Sequence, residues 1–299
     1  MTRTIALRAA AVVVVAVAAI VGLTLYFSSQ TVPPCLRTGI PEWRAPTGEA
    51  EHRFELVVPD RALCFFDMDH DQELAGYVKL PGIKGITAIA PRGAGSLALR
   101  YGGDKGALVD LTTRRIEYDV RPPRPPSDSV VVEDPSADVE YVTRPGELGF
   151  RVYRLDTHRL VDVVKFEGFT WNPQFGPNPP DHGLSLAPDR PELWVLDAPN
   201  SVVHVFDVSG ALPDRLVDIR LTKPLAGDES PCASHACGRI GSLQHSADGR
   251  FVYVGDAGDV IDTRTREEVA NLEALHNSRL TIEVDWAGGH PTFPASGSR

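Results

Sequence analysis

His204-Val205-Phe206-Asp207 is a short apolar run closed by an aspartate, and after a polar turn it is followed by Leu216-Val217-Asp218-Ile219. The same shape occurs at Cys64-Phe65-Phe66-Asp67, Ala107-Leu108-Val109-Asp110, Arg151-Val152-Tyr153-Arg154 and Asp259-Val260-Ile261-Asp262. The closing residues at 67, 110, 154, 207 and 262 stand 43, 44, 53 and 55 residues apart. A step of about 40–45 residues carrying about four short strands is the period of a β-propeller blade.

Working outward from that run, the fourth unit reads as four strands. His182 to Leu186 is strand A, which lines the channel, and Pro188-Asp189-Arg190 is a turn. Glu192 to Leu196 is B, Val202 to Asp207 is C and Arg215 to Leu221 is D. The fifth unit repeats the opening with Ile240 to His245, a Ser246-Ala247-Asp248-Gly249 turn and Phe251 to Val254. Asp, Gly and Pro sit at these turns because a tight hairpin needs positive or preset φ values. The first unit starts at strand B, with His52 to Asp60, and the chain closes on a lone strand, Leu280 to Asp285. That last strand is expected to supply the missing strand A of the first blade, leaving no open sheet edge. The fold class is therefore all-β: a propeller of five four-stranded blades over 53–287, with six or seven blades left open by sequence alone. Residues 31–52 read as a linker and 288–299 as a flexible tail.

Leu186-Ala187-Pro188-Asp189 with Leu193-Trp194-Val195, and Gly249-Arg250-Phe251-Val252-Tyr253-Val254, resemble the YVTN-type β-propeller repeat. Tyr141-Val142-Thr143-Arg144 matches three of the four letters that name it. The resemblance covers most of 53–287 and is strongest over 181–275. It implies a propeller near the heavy chain of quinoprotein amine dehydrogenases, a family whose members usually look seven-bladed and whose cofactor sits on a separate light chain.

The first 30 residues hold no Asp or Glu, only Arg3 and Arg8, and then an apolar run from Ala9 to Phe27. As a helix those 19 residues would span about 28 Å, close to a hydrocarbon core of about 30 Å. With the basic residues on its amino-terminal side, the run reads as a single-pass signal-anchor with the rest of the chain outside the cytoplasm. A cleaved signal peptide is the rival, but Leu25-Tyr26-Phe27-Ser28-Ser29 offers a poor cleavage site. Beyond the anchor, 28 Lys and Arg face 40 Asp and Glu, a net charge of −12. That sign repels phosphate backbones, so nucleic acid is not an expected partner.

Four cysteines in an exported chain read as two disulfides. Cys232 with Cys237 and Cys35 with Cys64 is the expected scheme, although four cysteines allow three. Haem attachment at Cys232 and Cys237 fails, because four residues separate them and Gly238 follows. Asp67, Asp69, Asp71 and Glu73 suggest a calcium loop, but Gln72 and Val78 stand where such a loop needs Gly and Glu. The segment aligns instead with the C-to-D turn of the other units. Arg121-Pro122-Pro123-Arg124-Pro125-Pro126 falls between the second and third units and reads as a stiff linker.

The D-to-A and B-to-C connections of a propeller open on one face. Two D-to-A connections here are long, 166–181 and 222–239, and long loops in a compact fold are usually functional. Trp171, Asp181, His182, His235, Arg239, His276 and Arg279 fall on this face and form the candidate ligand-binding set. Phe169, Trp171 and Phe175 would line an apolar pocket or pack as a lid. His182, His235 and His276 are a weaker candidate metal set, since no ligand spacing is present. There is no Gly-x-Ser-x-Gly elbow, His-Glu-x-x-His, Walker loop or dinucleotide fingerprint. The sequence points to a tethered module that binds a protein or small ligand, and it names no cofactor. The alternative is an oxidoreductase using a metal or quinone at the same face. A lactone-type hydrolase would want channel carboxylates, and strand A starts offer little acid beyond Asp181 and Glu133.

Overall fold

The computed structural model describes residues 33–294 apart from 38, 94, 125–128, 145–146, 167–182, 226–240 and 277. Its strands are β1 (His52–Val57), β2 (Ala62–Asp67) and β3 (Glu73–Lys79), then β4 (Ile86–Arg92), β5 (Ser96–Tyr101), β6 (Lys105–Asp110) and β7 (Ile116–Tyr118). There follow β8 (Val131–Asp134), β9 (Val139–Val142), β10 (Gly149–Arg154) and β11 (Leu160–Lys165). Next come β12 (Gly183–Leu186), β13 (Glu192–Asp197), β14 (Val202–Asp207) and β15 (Asp214–Arg220). The chain continues with β16 (Ser242–His245), β17 (Phe251–Gly255), β18 (Asp259–Asp262) and β19 (Glu267–Asn271), and ends with β20 (Thr281–Ala287) and β21 (His290–Thr292). The described residues contain no α-helix, only single 3-10 turns at Pro34–Leu36 and Glu273–Leu275.

These strands form five antiparallel sheets. Four are sequential meanders, β4 to β7, β8 to β11, β12 to β15 and β16 to β19, which are the second to fifth blades. The first blade has the order β21-β20-β1-β2-β3. Strand β20 pairs with β1 from His52↔Trp286 to Val57↔Thr281, so the last long strand does supply strand A of the first blade. The tail expected after 287 departs from the reading. Gly288 and Gly289, both with positive φ, turn the chain back so that β21 pairs with β20 on its inner side. A Gly-Gly pair adopts this left-handed turn at no steric cost.

The residue that closes each anchor run has a structural cause. Oδ1 of Asp67, Asp110, Asp207 and Asp262 accepts backbone N–H bonds from two or three residues ahead: from Asp69, from Thr112 and Thr113, from Ser209, and from Arg264 and Thr265. Each aspartate thus caps its own C-to-D turn. A register shift lies between residues two and one before the closing residue in four blades: at Phe65/Phe66, Val152/Tyr153, Val205/Phe206 and Val260/Ile261. The bulge increases the local twist where the outer strand leaves its neighbour.

Apolar residues alternate to both faces of the inner strands, and the blades pack through shared cores. One core joins the first and second blades through Phe54, Leu56, Phe65, Leu97, Leu99, Val284 and Trp286. Others join the first to the fifth, the fourth to the fifth and the third to the fourth. Among the described residues no such cluster joins the second blade to the third. There the linker lies on the free face of the second blade. Arg100 Nε donates to Pro123 O at 2.8 Å, and a Cβ on Gly106 would stand 2.1 Å from Val120 O.

The segment expected as a linker is integrated from residue 33 onward. Cys35 and Cys64 form a disulfide. Trp43 is 2% exposed, stacks on Phe65 with centroids 3.8 Å apart, and donates its indole N–H to Leu111 O at 3.1 Å. Its backbone N–H donates to Tyr77 O at 2.7 Å, running this strap along the outer edge of β3. The approach depends on Gly76, whose Cβ would meet Trp43 Cα at 3.0 Å. Propeller boundaries drawn at 53 and 287 were therefore too tight at both ends.

Candidate functional site

In an antiparallel four-stranded blade the B-to-C turns and D-to-A connections share one face. The two longest D-to-A connections lie between β11 and β12 and between β15 and β16. Their feet are described, and both stand over buried ionisable groups.

Phe166, leaving β11, packs its ring 4.3 Å from that of His204 on β14. His204 is 3% exposed and faces a carboxylate at each ring nitrogen. Nδ1 lies 2.9 Å from Asp218 Oδ1, and Nε2 lies 3.2 Å from Asp197 Oδ2. Arg215 donates to both oxygens of Asp218 at 2.7 Å. Burial works to raise the Asp218 carboxyl, and the hydrogen bonds from Arg215 and His204 outweigh it, holding the group below its usual range. Asp197 also accepts from Asn200, so it fixes the B-to-C turn of the fourth blade.

The second foot rests on the B-to-C turn of the fifth blade. Thr222, just past β15, donates its N–H to Asp259 Oδ1 at 3.3 Å and its hydroxyl to Glu268. At the far end Gly241 donates its N–H to Asp256 Oδ2 at 2.8 Å. Arg279 Nε donates to that same oxygen at 2.7 Å. Asn271 spans the turn, donating to Ala257 O and Asp259 Oδ1 and accepting from His276 Nε2 at 2.7 Å. The imidazole lies over Gly258, where a Cβ would stand 2.6 Å from the ring. Burial raises both Asp256 and Asp259 above the usual carboxylate range, with the charge of Arg279 opposing the rise at Asp256. Among the described residues, Asp256 Oδ1 and Asp259 Oδ2 are buried without a hydrogen-bond partner. Among the described residues the arrangement presents two spare carboxyl acceptors and a partly exposed guanidinium beside the B-to-C turn of the fifth blade.

Of the residues nominated from sequence, the structure brings His276 and Arg279 to the two sides of one turn. His276 is a half-buried hydrogen-bonded residue and Arg279 is the ion-pair partner of Asp256. Trp171, Asp181, His182, His235 and Arg239 lie outside the described residues, as do Cys232 and Cys237. Among the described residues no group of three or more His, Cys, Asp or Glu could hold a metal ion. Sequence reasoning missed Asp197, His204, Asp256, Asp259 and Asn271. A signal was present: an Asp-Ala pair stands at or just past the end of strand B in both blades, at Asp197-Ala198 and Asp256-Ala257.

No protein-family model and no curated protein matches the chain. Solved structures similar to it are propellers of distant sequence. Apo AztD from Citrobacter koseri is 11% identical, with 81% of this chain and 99% of that one covered, at a TM-score of 0.38. The dihydro-heme d1 dehydrogenase NirN in complex with DHE is 13% identical, with 81% of this chain and only 47% of that one covered, at 0.34. The Cps50 (Swd1) β-propeller domain of Myceliophteria thermophila is 16% identical, with 62% and 54% covered, at 0.31. The chain thus spans about half the length of two of these three. None reaches the level at which function carries across, and the fold is established by the five sheets of this chain.

Proposed function

We propose that this chain is a membrane-tethered, extracytoplasmic propeller that binds a protein or small ligand through the face of its B-to-C turns and D-to-A connections. One observation carries the reading. The described feet of the two longest connections on that face stand over buried ionisable groups, His204 with Asp197 beside the half-exposed Asp218, and Asp256 with Asp259 beside the partly exposed Arg279. Burying such groups costs stability, and clefts with perturbed carboxyls are where function concentrates. Trp171, Asp181, His182, His235 and Arg239 complete the proposed surface.

The tether rests on the apolar run 9–27 behind Arg3 and Arg8. No helix among the described residues is long and apolar enough to cross a membrane, and that run lies outside them. The Cys35–Cys64 disulfide supports an oxidising compartment. Site-directed photo-crosslinking in intact cells tests the binding face. A photoreactive residue at Pro199 or Lys223, neither of them part of the buried clusters, should yield a discrete adduct, and one at Leu212, in a C-to-D turn on the opposite face, should not. Equal adducts from both faces, or none from 199 and 223, would remove the proposed surface. Resistance of the chain to alkaline extraction from membranes is the matching check on the tether.

A further inference from the structure

The first blade closes on a pair of acids. In the β1–β20 register Glu55 stands directly opposite Glu283, so both side chains leave the same face of the sheet at neighbouring positions. They enter the interface with the fifth blade and are 0% and 4% exposed. Thr281, one step along the same face, donates to Glu55 Oε1, and Ala247 in the A-to-B turn of the fifth blade donates to Glu283 Oε2 at 2.5 Å. Glu55 Oε2 has no hydrogen-bond partner. Tyr253 of β17 is fully buried beside them and donates to Gln72 Oε1 at 3.2 Å.

We propose that this pair is a proton-operated latch on the closure of the ring, shut while the two carboxyls are protonated and loosened when they ionise. Two like charges at opposed positions repel, and here the interface excludes the water that would screen them. Among the surrounding charges, that of Arg53 opposes the rise at Glu283. Among the described residues Arg53 is the cation ion-paired at this end of the seam, and its guanidinium is shared between Asp69 and Asp248. Asp285 stands one step along β20 with Glu51 acting on it, Arg250 acts on Asp69, and Tyr253 and Gln72 are neutral. Burial, with the charge of Glu283, pushes Glu55 well above the usual carboxylate range. Burial likewise raises Glu283 to about 7, with Asp285 and Asp248 adding to the rise.

The sign follows from those directions. Both acids hold protons in the closed state that they would release once exposed. The contribution of Glu283 is full below its open-state value of 4.5 and is lost as pH rises through about 7, and that of Glu55 has the same sign. The element it biases is β20, which no covalent bond holds to β1. Beyond the sheet register it is held by Val58 N–H to Leu280 O and Ser278 Oγ to Val58 O.

Hydrogen exchange of the purified full-length chain, corrected for intrinsic rates and compared near pH 5.5 and near pH 8.5, tests this directly. Opening of 281–287 should rise by about thirtyfold, the factor for one group moving between about 7 closed and 4.5 open across that interval. Protection of β13, far from the seam, should change much less. Glu55→Gln and Glu283→Gln, made singly, should each flatten the dependence, while Tyr253→Phe should keep it. The proposal is overturned if 281–287 and β13 lose protection together, or if both Gln variants keep the full dependence.

Discussion

Asp262 commits one carboxyl oxygen to the N–H groups of Arg264 and Thr265 at 2.9 Å, and this small device repeats around the molecule. Burial works to raise its carboxyl, but the two turn N–H groups prevail and hold it below the usual range. Its contribution is therefore present above that range and fades as pH falls through it. Asp262→Ala should cost about 1 kcal/mol near neutral pH, whereas Asp262→Asn, which can still cap a turn, should cost less. Thermal melts of the two variants check this, and equal losses would assign the aspartate to something other than capping. A larger effect is expected at Arg279. Replacing it by Ala leaves the fully buried Asp256 without its cation, a change worth about 3 kcal/mol for buried pairs. Protonation of Asp256 relieves that loss, so the penalty should be larger near pH 8 than near pH 5 in denaturant titrations. Residues like these set what was legible. The turn aspartates repeat and could be read as a period. Thr281, Glu283 and Asp285 alternate with Ile282, Val284 and Trp286, a pattern that ordinarily means one wet face, yet Thr281 and Glu283 are buried and Asp285 only partly exposed. The reason is that β20 is an inner strand, covered by one blade on each side.

The strap over 33–47 shows where element-level reading stopped. Nothing periodic marks it, and Trp43 is a lone aromatic among Pro, Glu, Arg and Gly, so a linker was the natural reading. Its order comes from three separate contacts: the stacking on Phe65, the parallel bridge of Glu42 with Tyr77, and the disulfide into β2. The pairing of Cys35 with Cys64 was expected only as what remained once Cys232 was set with Cys237, with three schemes open, and the disulfide is present. The bridge closes a separation of 29 residues, for which chain entropy gives roughly 3–4 kcal/mol. Replacing both cysteines by Ala should therefore lower the melting temperature by roughly 10 °C, at a few degrees per kcal/mol for a chain of this size. A shift of a degree or less would mean that Trp43 and Glu42 hold the strap without it. The hairpin into β21 was equally available in Gly288-Gly289, the strongest left-handed turn signal in the last twenty residues.

Five sheets arranged as blades leave one decisive weakness, the seam where β20 pairs with β1. Between the second and third blades no apolar cluster is present among the described residues, so the burden of closure falls on the first blade. There β20 contributes Val284 and Trp286 to the core shared with the second blade, and Glu283 to the interface with the fifth. A chain ending at Arg279 would lose both contributions and expose β1 as an edge with unpaired N–H and C=O groups along six residues. Phe54, Leu56 and Trp43, now 3%, 0% and 2% exposed, would lie next to that edge. An exposed apolar edge strand pairs with other chains. Truncation after Arg279 should thus give oligomers in light scattering and a broad, non-cooperative melt. Truncation after Pro294 removes only residues beyond β21 and should leave both measurements as in the full chain. A monomeric, cooperatively melting chain ending at Arg279 would show that four meander blades and a three-stranded sheet suffice, and that the borrowed strand serves regulation rather than folding.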